Sequence, residues 1–337
     1  MQKEAASYKH RLLDEKGKRM RNRRDLFLAL TAASGLLFSI SCYADDGGFR
    51  EEASFYQPQV EEVQITIPGM REERTLLWVS DLHLISGTED PDVLPEYREE
   101  VQERREKMKS AEGRTGEETW ELLSAGIDSY GADGVIFGAD MLDYVSEENL
   151  EKFRSGLETI QTPWMYLRAD HDYGRWYSDM GLKRMRKLHR SVAPQNKLWV
   201  MRFDEFTVAG LDNTTTAISE ETLEEFRGIC EEGLPVILCT HVPFDSAQED
   251  SASLADLSAE FWNDRVLCWG DGDDYDTSGG GCMRQLLDLI TAPDSPVCAV
   301  LAGHLHLTWD GALTDTCREH VFGAAYEDHI GVITVSG

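Results

Sequence analysis

Five of the chain's nine histidines stand in short motifs at the ends of apolar runs, most of them with aspartate or glycine beside the histidine. In chain order these are Asp81-Leu82-His83, Gly138-Ala139-Asp140-Met141-Leu142-Asp143, Ala169-Asp170-His171-Asp172, Thr240-His241 and Gly303-His304-Leu305-His306. Imidazole nitrogen and carboxylate oxygen together suit Zn, Fe and Mn ions. Residues i and i+2 of an extended backbone project to the same side, so His304 and His306 form half of a metal site. The upstream motifs supply the other half. Neither a His-Glu-x-x-His helix nor a Cys-x-x-Cys pair occurs, which removes the common zinc proteases, zinc ribbons and thioredoxin-like redox motifs.

The elements that must position these residues follow from periodicity. Thr75–Ser80, Gly134–Phe137, Trp164–Leu167, Pro235–Cys239 and Pro296–Leu301 are near-continuous apolar runs, the pattern of strands buried on both faces. Val63–Ile67 alternates as an edge strand, Lys197–Arg202 with Glu205–Ala209 reads as a hairpin, and Ile330–Val335 closes the chain as a strand. Helices are expected around 97–110, 117–130, 147–159, 182–190, 220–232 and 251–263. Strand and helix alternate, so the sheet is parallel or mixed, covered by helices, and carries its site along one edge. The charged run 98–109 reads as a solvated helix face. Trp164, Tyr173, Trp176 and Tyr177 read as core packing rather than cleft walls, and Asp172 as a loop cap. Gly270–Gly281, an acidic glycine-rich stretch, misses the calcium-loop spacing and reads as a rim loop.

The five motifs in this order resemble those of the calcineurin-like metallophosphoesterase family over residues 75–306. That resemblance implies an α/β fold, a four-layer α/β/β/α sandwich of two mixed sheets flanked by helices. It also implies two divalent or mixed-valence metal ions (Mn, Fe or Zn) and hydrolysis of a phosphodiester or small phosphomonoester by a shared hydroxide. By carry-over, Asp81, His83, Asp140 and His306 would bind one ion, and Asp140, Asp170, His241 and His304 the other. His171 would be the catalytic acid or transition-state stabiliser, with Asp143 orienting it. The chain departs from the family at Ala139, where glycine is usual, and at Asp170, where asparagine is usual. An aspartate at 170 lowers the charge of the occupied site by one, which weakens attraction for phosphate dianions or is offset by a trivalent ion.

Composition bounds the partners. The 337 residues carry a formal net charge of -29. Residues 1–25 hold nine Lys/Arg against four Asp/Glu, so the remainder holds 24 basic and 58 acidic residues. Such a body repels nucleic acid polymers. Residues 26–44 run without a charge behind the basic block, as an export signal or membrane anchor does, and Arg23-Arg24-Asp25-Leu26-Phe27 resembles a twin-arginine signal. The expected organisation is a basic cytoplasmic segment (1–25), a signal-anchor or export helix (26–44), an acidic tether with the first strand (45–74) and a catalytic domain (75–337). The domain then lies outside the cytoplasm, held at the membrane or released by cleavage near Ala44, with a small, lipid-linked or wall-linked phosphoester as substrate. The rival from another class is a non-catalytic metal-binding or sensing ectodomain on a membrane anchor; a metal-dependent amide or ester hydrolase fits the motifs less well. The seven cysteines read as free thiols.

Overall fold

A computed structural model describes residues 56–87, 89–194, 197–213, 218–245, 253–263 and 281–337. The segments 1–25 and 26–44, most of Gly270–Gly281, Cys42 and Cys268 lie outside the described residues. Among the described residues no helix is long and apolar enough to cross a membrane, and the five cysteines are free.

Two sheets are present. The first has five strands in the order β1 (Gln59–Thr66), β11 (His329–Ser336), β2 (Arg74–Val79), β3 (Gly134–Gly138), β4 (Trp164–Leu167). The second has six in the order β5 (Leu198–Arg202), β6 (Thr207–Leu211), β7 (Val236–Cys239), β8 (Val297–Ala302), β10 (Arg318–Val321), β9 (Trp309–Ala312). Both are mixed. β2, β3 and β4 run parallel while β11 joins β2 antiparallel. β6, β7, β8 and β10 run parallel, with β5 and β9 antiparallel at the two edges.

Strand alternation divides the core into three seams. Leu76 and Trp78 point to the seam between the sheets, where they meet Ile136, Met165, Phe206, Ile237 and Leu301. Leu77 and Val79 point the other way, against Trp120, Leu123, Phe153 and Met185 of the helices α2 (Gly116–Gly126), α3 (Glu147–Leu157) and α5 (Leu182–Val192). On the second sheet, Leu238 and Val300 face Phe226 of α6 (Glu220–Glu231) and Leu286 of α8 (Cys282–Thr291). Burial on both faces explains why these strands read as continuous apolar runs. The result is the expected layering of two mixed sheets flanked by helices.

The helices start where their caps stand. Thr115 and Glu118 form a capping box at α2, and Ser146 and Ser219 accept backbone N–H groups at the starts of α3 and α6. Strands β9 and β10 and helix α8 were not apparent from periodicity. β9 and β10 are four residues each, and β10 buries Glu319 and His320, which breaks the apolar pattern. The charged run 98–109 is solvated at Glu99, Glu100, Glu103, Glu106 and Lys107, as expected, but the helix also has an inward side. In α1 (Arg98–Lys107), Val101 is fully buried, packed among Ile85, Val93, Tyr144 and Tyr177, and three residues on, Arg104 reaches inward.

Candidate metal centre

Parallel β2, β3 and β4 end at one edge of their sheet, and parallel β7 and β8 at one edge of theirs. The backbone then zips the loops together. The N–H groups of Asp81, His83 and Leu84 donate to the carbonyls of Ala139, Asp140 and Met141 at 2.9–3.0 Å, and Gly303 N–H donates to the His241 carbonyl at 3.1 Å. Residues that leave strands so abruptly must turn hard. Asp81, His83, Ala139, Asp140, His304 and His306 all have φ between +46° and +76°. Non-glycine residues disfavour this left-handed region by about 1–2 kcal/mol each, and such strain gathers at functional sites. Ala139 meets the position with its methyl group fully buried.

Three overlapping sets of ligand-type atoms result, each set mutually within 4.8 Å: Asp81, His83, His306; His83, Asp140, His171; and Asp140, His241, His304. All the sequence-predicted residues that carry histidine, with Asp81 and Asp140, therefore converge. Asp170 does not belong to any of the three sets; it stands half-buried at the start of the short helix α4 (Asp170–Tyr173). Its neighbour Asp172 is the structural anchor. Fully buried, it accepts from the N–H groups of Asp140, Leu142 and Ala169 and from the Tyr166 hydroxyl at 2.6–3.1 Å, pinning the Asp140 loop to α4.

Outer partners select which ring nitrogen faces the centre. His83 places Nδ1 3.0 Å from the Asp143 carboxylate, leaving Nε2 to approach Nε2 of His306 at 3.1 Å. His241 sets Nδ1 2.8 Å from the Gly138 carbonyl and turns Nε2 to Asp140 at 3.1 Å. His171 sets Nδ1 2.9 Å from the Asp143 carbonyl, with the Asp143 carboxylate 3.4 Å away. Asp81 accepts the Ser80 hydroxyl at 2.6 Å and the His304 N–H at 3.1–3.2 Å. Two side chains that hydrogen-bond to the site were not apparent from the sequence. Buried Asn213 accepts the N–H groups of His241 and Val242 through Oδ1, and Arg104 donates to both oxygens of Asp143. An asparagine in a loop and an arginine in a charged helix carry no signal of this in their spacing.

Burial and neighbouring charge oppose each other across the site, and the balance differs from residue to residue. Burial raises the cost of ionising Asp81 and Asp140, yet His241 beside both holds their carboxyls well below the usual range. Burial would keep His241 neutral, but Asp140 and Asp81 outweigh it and lift its pKa to about 10. His171 is likewise lifted to about 9 against burial, by Asp143 and Asp140. Burial and the charge of His241 drive His304 down to about 3. Asp140 Oδ1 is buried without a hydrogen-bond partner, and buried His241 Nε2, though 3.1 Å from the other oxygen of Asp140, makes no well-formed hydrogen bond. Close nitrogen pairs and orphaned donor atoms in an all N/O set fit Mn, Fe or Zn ions.

Of the flanking aromatic residues, Trp164, Tyr173 and Tyr177 pack in the core as expected. Trp176 departs from that reading: it is 47% exposed, with its ring edge-on to His171 at 4.6 Å between centroids. Trp262 packs edge-on against His306 in the same way, at 5.3 Å.

No family model and no curated protein matches the sequence. The solved structures it resembles include a dimetal phosphatase from Danio rerio, with a TM-score of 0.46 at 9% identity over 75% of this chain and 88% of that one. A purple acid phosphatase from yellow lupin seeds gives 0.44 at 12% identity, over 76% of this chain and 44% of that one. A calcineurin-like phosphoesterase from Bacillus subtilis gives 0.31 at 10% identity, over 77% and 84%. With TM-scores below 0.5, these likenesses do not bear on the chemistry, which is read from the side chains.

Proposed function

We propose that the chain is a metal-dependent phosphoesterase acting on small or lipid- or wall-linked phosphoesters outside the cytoplasm, at the membrane through residues 26–44. The observation that carries this is the run of overlapping donor sets joined through His83 and Asp140. Asp81, His83 and His306 would hold one ion and Asp140, His241 and His304 the other. Two such ions lower the pKa of a shared water and offset charge on phosphate oxygens.

The protein's own groups supply the rest. His171 keeps Nδ1 engaged with the Asp143 carbonyl, so Nε2 is the atom that passes a proton to the leaving oxygen. Asp143, held well below the usual carboxylate range by His171, His83 and Arg104 against its burial, sustains the charge on that ring. Trp176 shields one side of His171 from water and offers an apolar wall to the leaving group. The acidic body repels long polyanions and leaves the site to small esters.

A specific observation favours the second reading, metal binding without turnover: Asp170 lies outside all three donor sets. The two part on one experiment. Metal content is measured on the purified protein, and a chromogenic phosphodiester is assayed with Mn2+, Fe or Zn2+, with His171→Ala as control. About two ions per chain with turnover lost in the variant is expected. Two ions without turnover on any ester would favour the sensing role, and no bound metal would refute both.

A further inference from the structure

Helix α1 is charged along most of its length, but its inward face is set by spacing. Val101 anchors it in an apolar pocket, and residues three and four along the helix return to the same face. Arg105 lies 3.4 Å from the Ile85 carbonyl through Nε and 3.7 Å from Glu117 through Nη2. Arg104 reaches the centre. Its Nε lies 2.9 Å from each oxygen of Asp143 and its Nη2 2.8 Å from Oδ1.

We infer that Arg104 is a positioning residue of the metal centre: its guanidinium fixes the plane of the buried Asp143 carboxylate and, through it, the rings of His83 and His171. The inference rests on the metal-centre reading above. Asp143 is wholly buried, and its Oδ1 faces Nδ1 of His83 at 3.0 Å and Nδ1 of His171 at 3.4 Å. A carboxylate with those two partners alone can rotate toward either ring. A planar guanidinium that engages both oxygens removes that freedom, which an ammonium group cannot do. With the carboxylate held, His83 keeps its hydrogen on Nδ1 and presents Nε2 beside His306. The positive charge of Arg104 also balances that of Asp143, so this carboxylate supports a ligand instead of competing to become one.

The test is metal binding by the full chain, read by Zn2+ titration calorimetry and by the visible spectrum of the Co2+ form. Arg104→Ala is expected to bind metal about 10–100-fold more weakly, the usual effect of losing an outer partner, with an altered Co2+ spectrum. Millimolar guanidinium ion should restore part of the affinity, because the Arg104 side chain is 29% exposed and its place can be refilled from solvent. A loss of affinity through general misfolding would not be restored in this way. Arg104→Lys keeps the charge without the fork and should fall between the two. Unchanged metal affinity in Arg104→Ala or a lysine variant identical to the parent would overturn the positioning role. Failure of the unaltered protein to bind metal would overturn the metal centre and this role together.

Discussion

Gly303 gives the most direct test of how tightly the centre is built. A Cβ placed there would lie 2.4 Å from Ser80 Oγ and 2.5 Å from Asp81 Oδ2. Ordinary contact begins near 3.4 Å, so Asp81 would have to retreat by about 0.9 Å, several times the roughly 0.2 Å tolerance of a metal–ligand bond. The same movement strains the bonds that Asp81 accepts from Ser80 and from the His304 N–H. Gly303→Ala should therefore weaken metal binding by more than the ~10–100-fold typical of disturbing an outer partner. Overpacking of a closed site should also destabilise the fold by about 1–3 kcal/mol. At roughly 2–4 °C per kcal/mol, Tm falls by several degrees. Metal analysis after dialysis reads the first effect and calorimetry the second. Gly228→Ala is the control, because nothing lies within 4 Å of a Cβ at that helical position. It should keep its metal and gain about 0.4–1 kcal/mol. A Gly303→Ala protein with parental metal content and Tm would refute the placement of Asp81.

Other consequences can be checked separately. His189 is fully buried, with neither ring nitrogen in a well-formed hydrogen bond, and burial with the charge of Arg168 lowers its pKa to about 3 against a weak contribution from the Asp172 backbone. A folded pKa below the unfolded ~6.5 means stability is complete above pH 6.5 and falls as pH drops toward 3. Between pH 7 and pH 5 the parent should lose about 2 kcal/mol more than His189→Met in denaturant unfolding; equal losses would show the ring is hydrated. Chelation should lower Tm, since metal at 1,000 times its Kd adds about 4 kcal/mol and supports six left-handed residues; an unchanged Tm with EDTA would exclude a resident ion. Asp140→Asn should reduce bound metal far more than Asp170→Asn, because Asp140 belongs to two donor sets and Asp170 to none. Equal losses would show that Asp170 is a ligand after all.

The candidate site was legible because its residues are punctuation. Each candidate motif ends an apolar run, and a parallel sheet brings such ends to one edge whatever the intervening helices do. The strands that carry those motifs were found where expected, as were the edge position of β1 and the hairpin of β5 and β6. Both β9 and β10 are only four residues long, and in β10 buried Glu319 and His320 interrupt the apolar pattern.

Local sequence determined the types and order of the candidate ligands and the strands that deliver them, since a two-residue period and an apolar run are properties of contiguous residues. Tertiary structure alone decided which ring nitrogen faces inward, which depends on Asp143 and the Gly138 carbonyl. It alone decided that Asp172 anchors the Asp140 loop while Asp170 stands apart. It also turned Arg104 from a solvated helix residue into a partner of Asp143, 39 positions away. Contacts of that kind are set by how separate strands and helices pack, and no spacing within a segment encodes them.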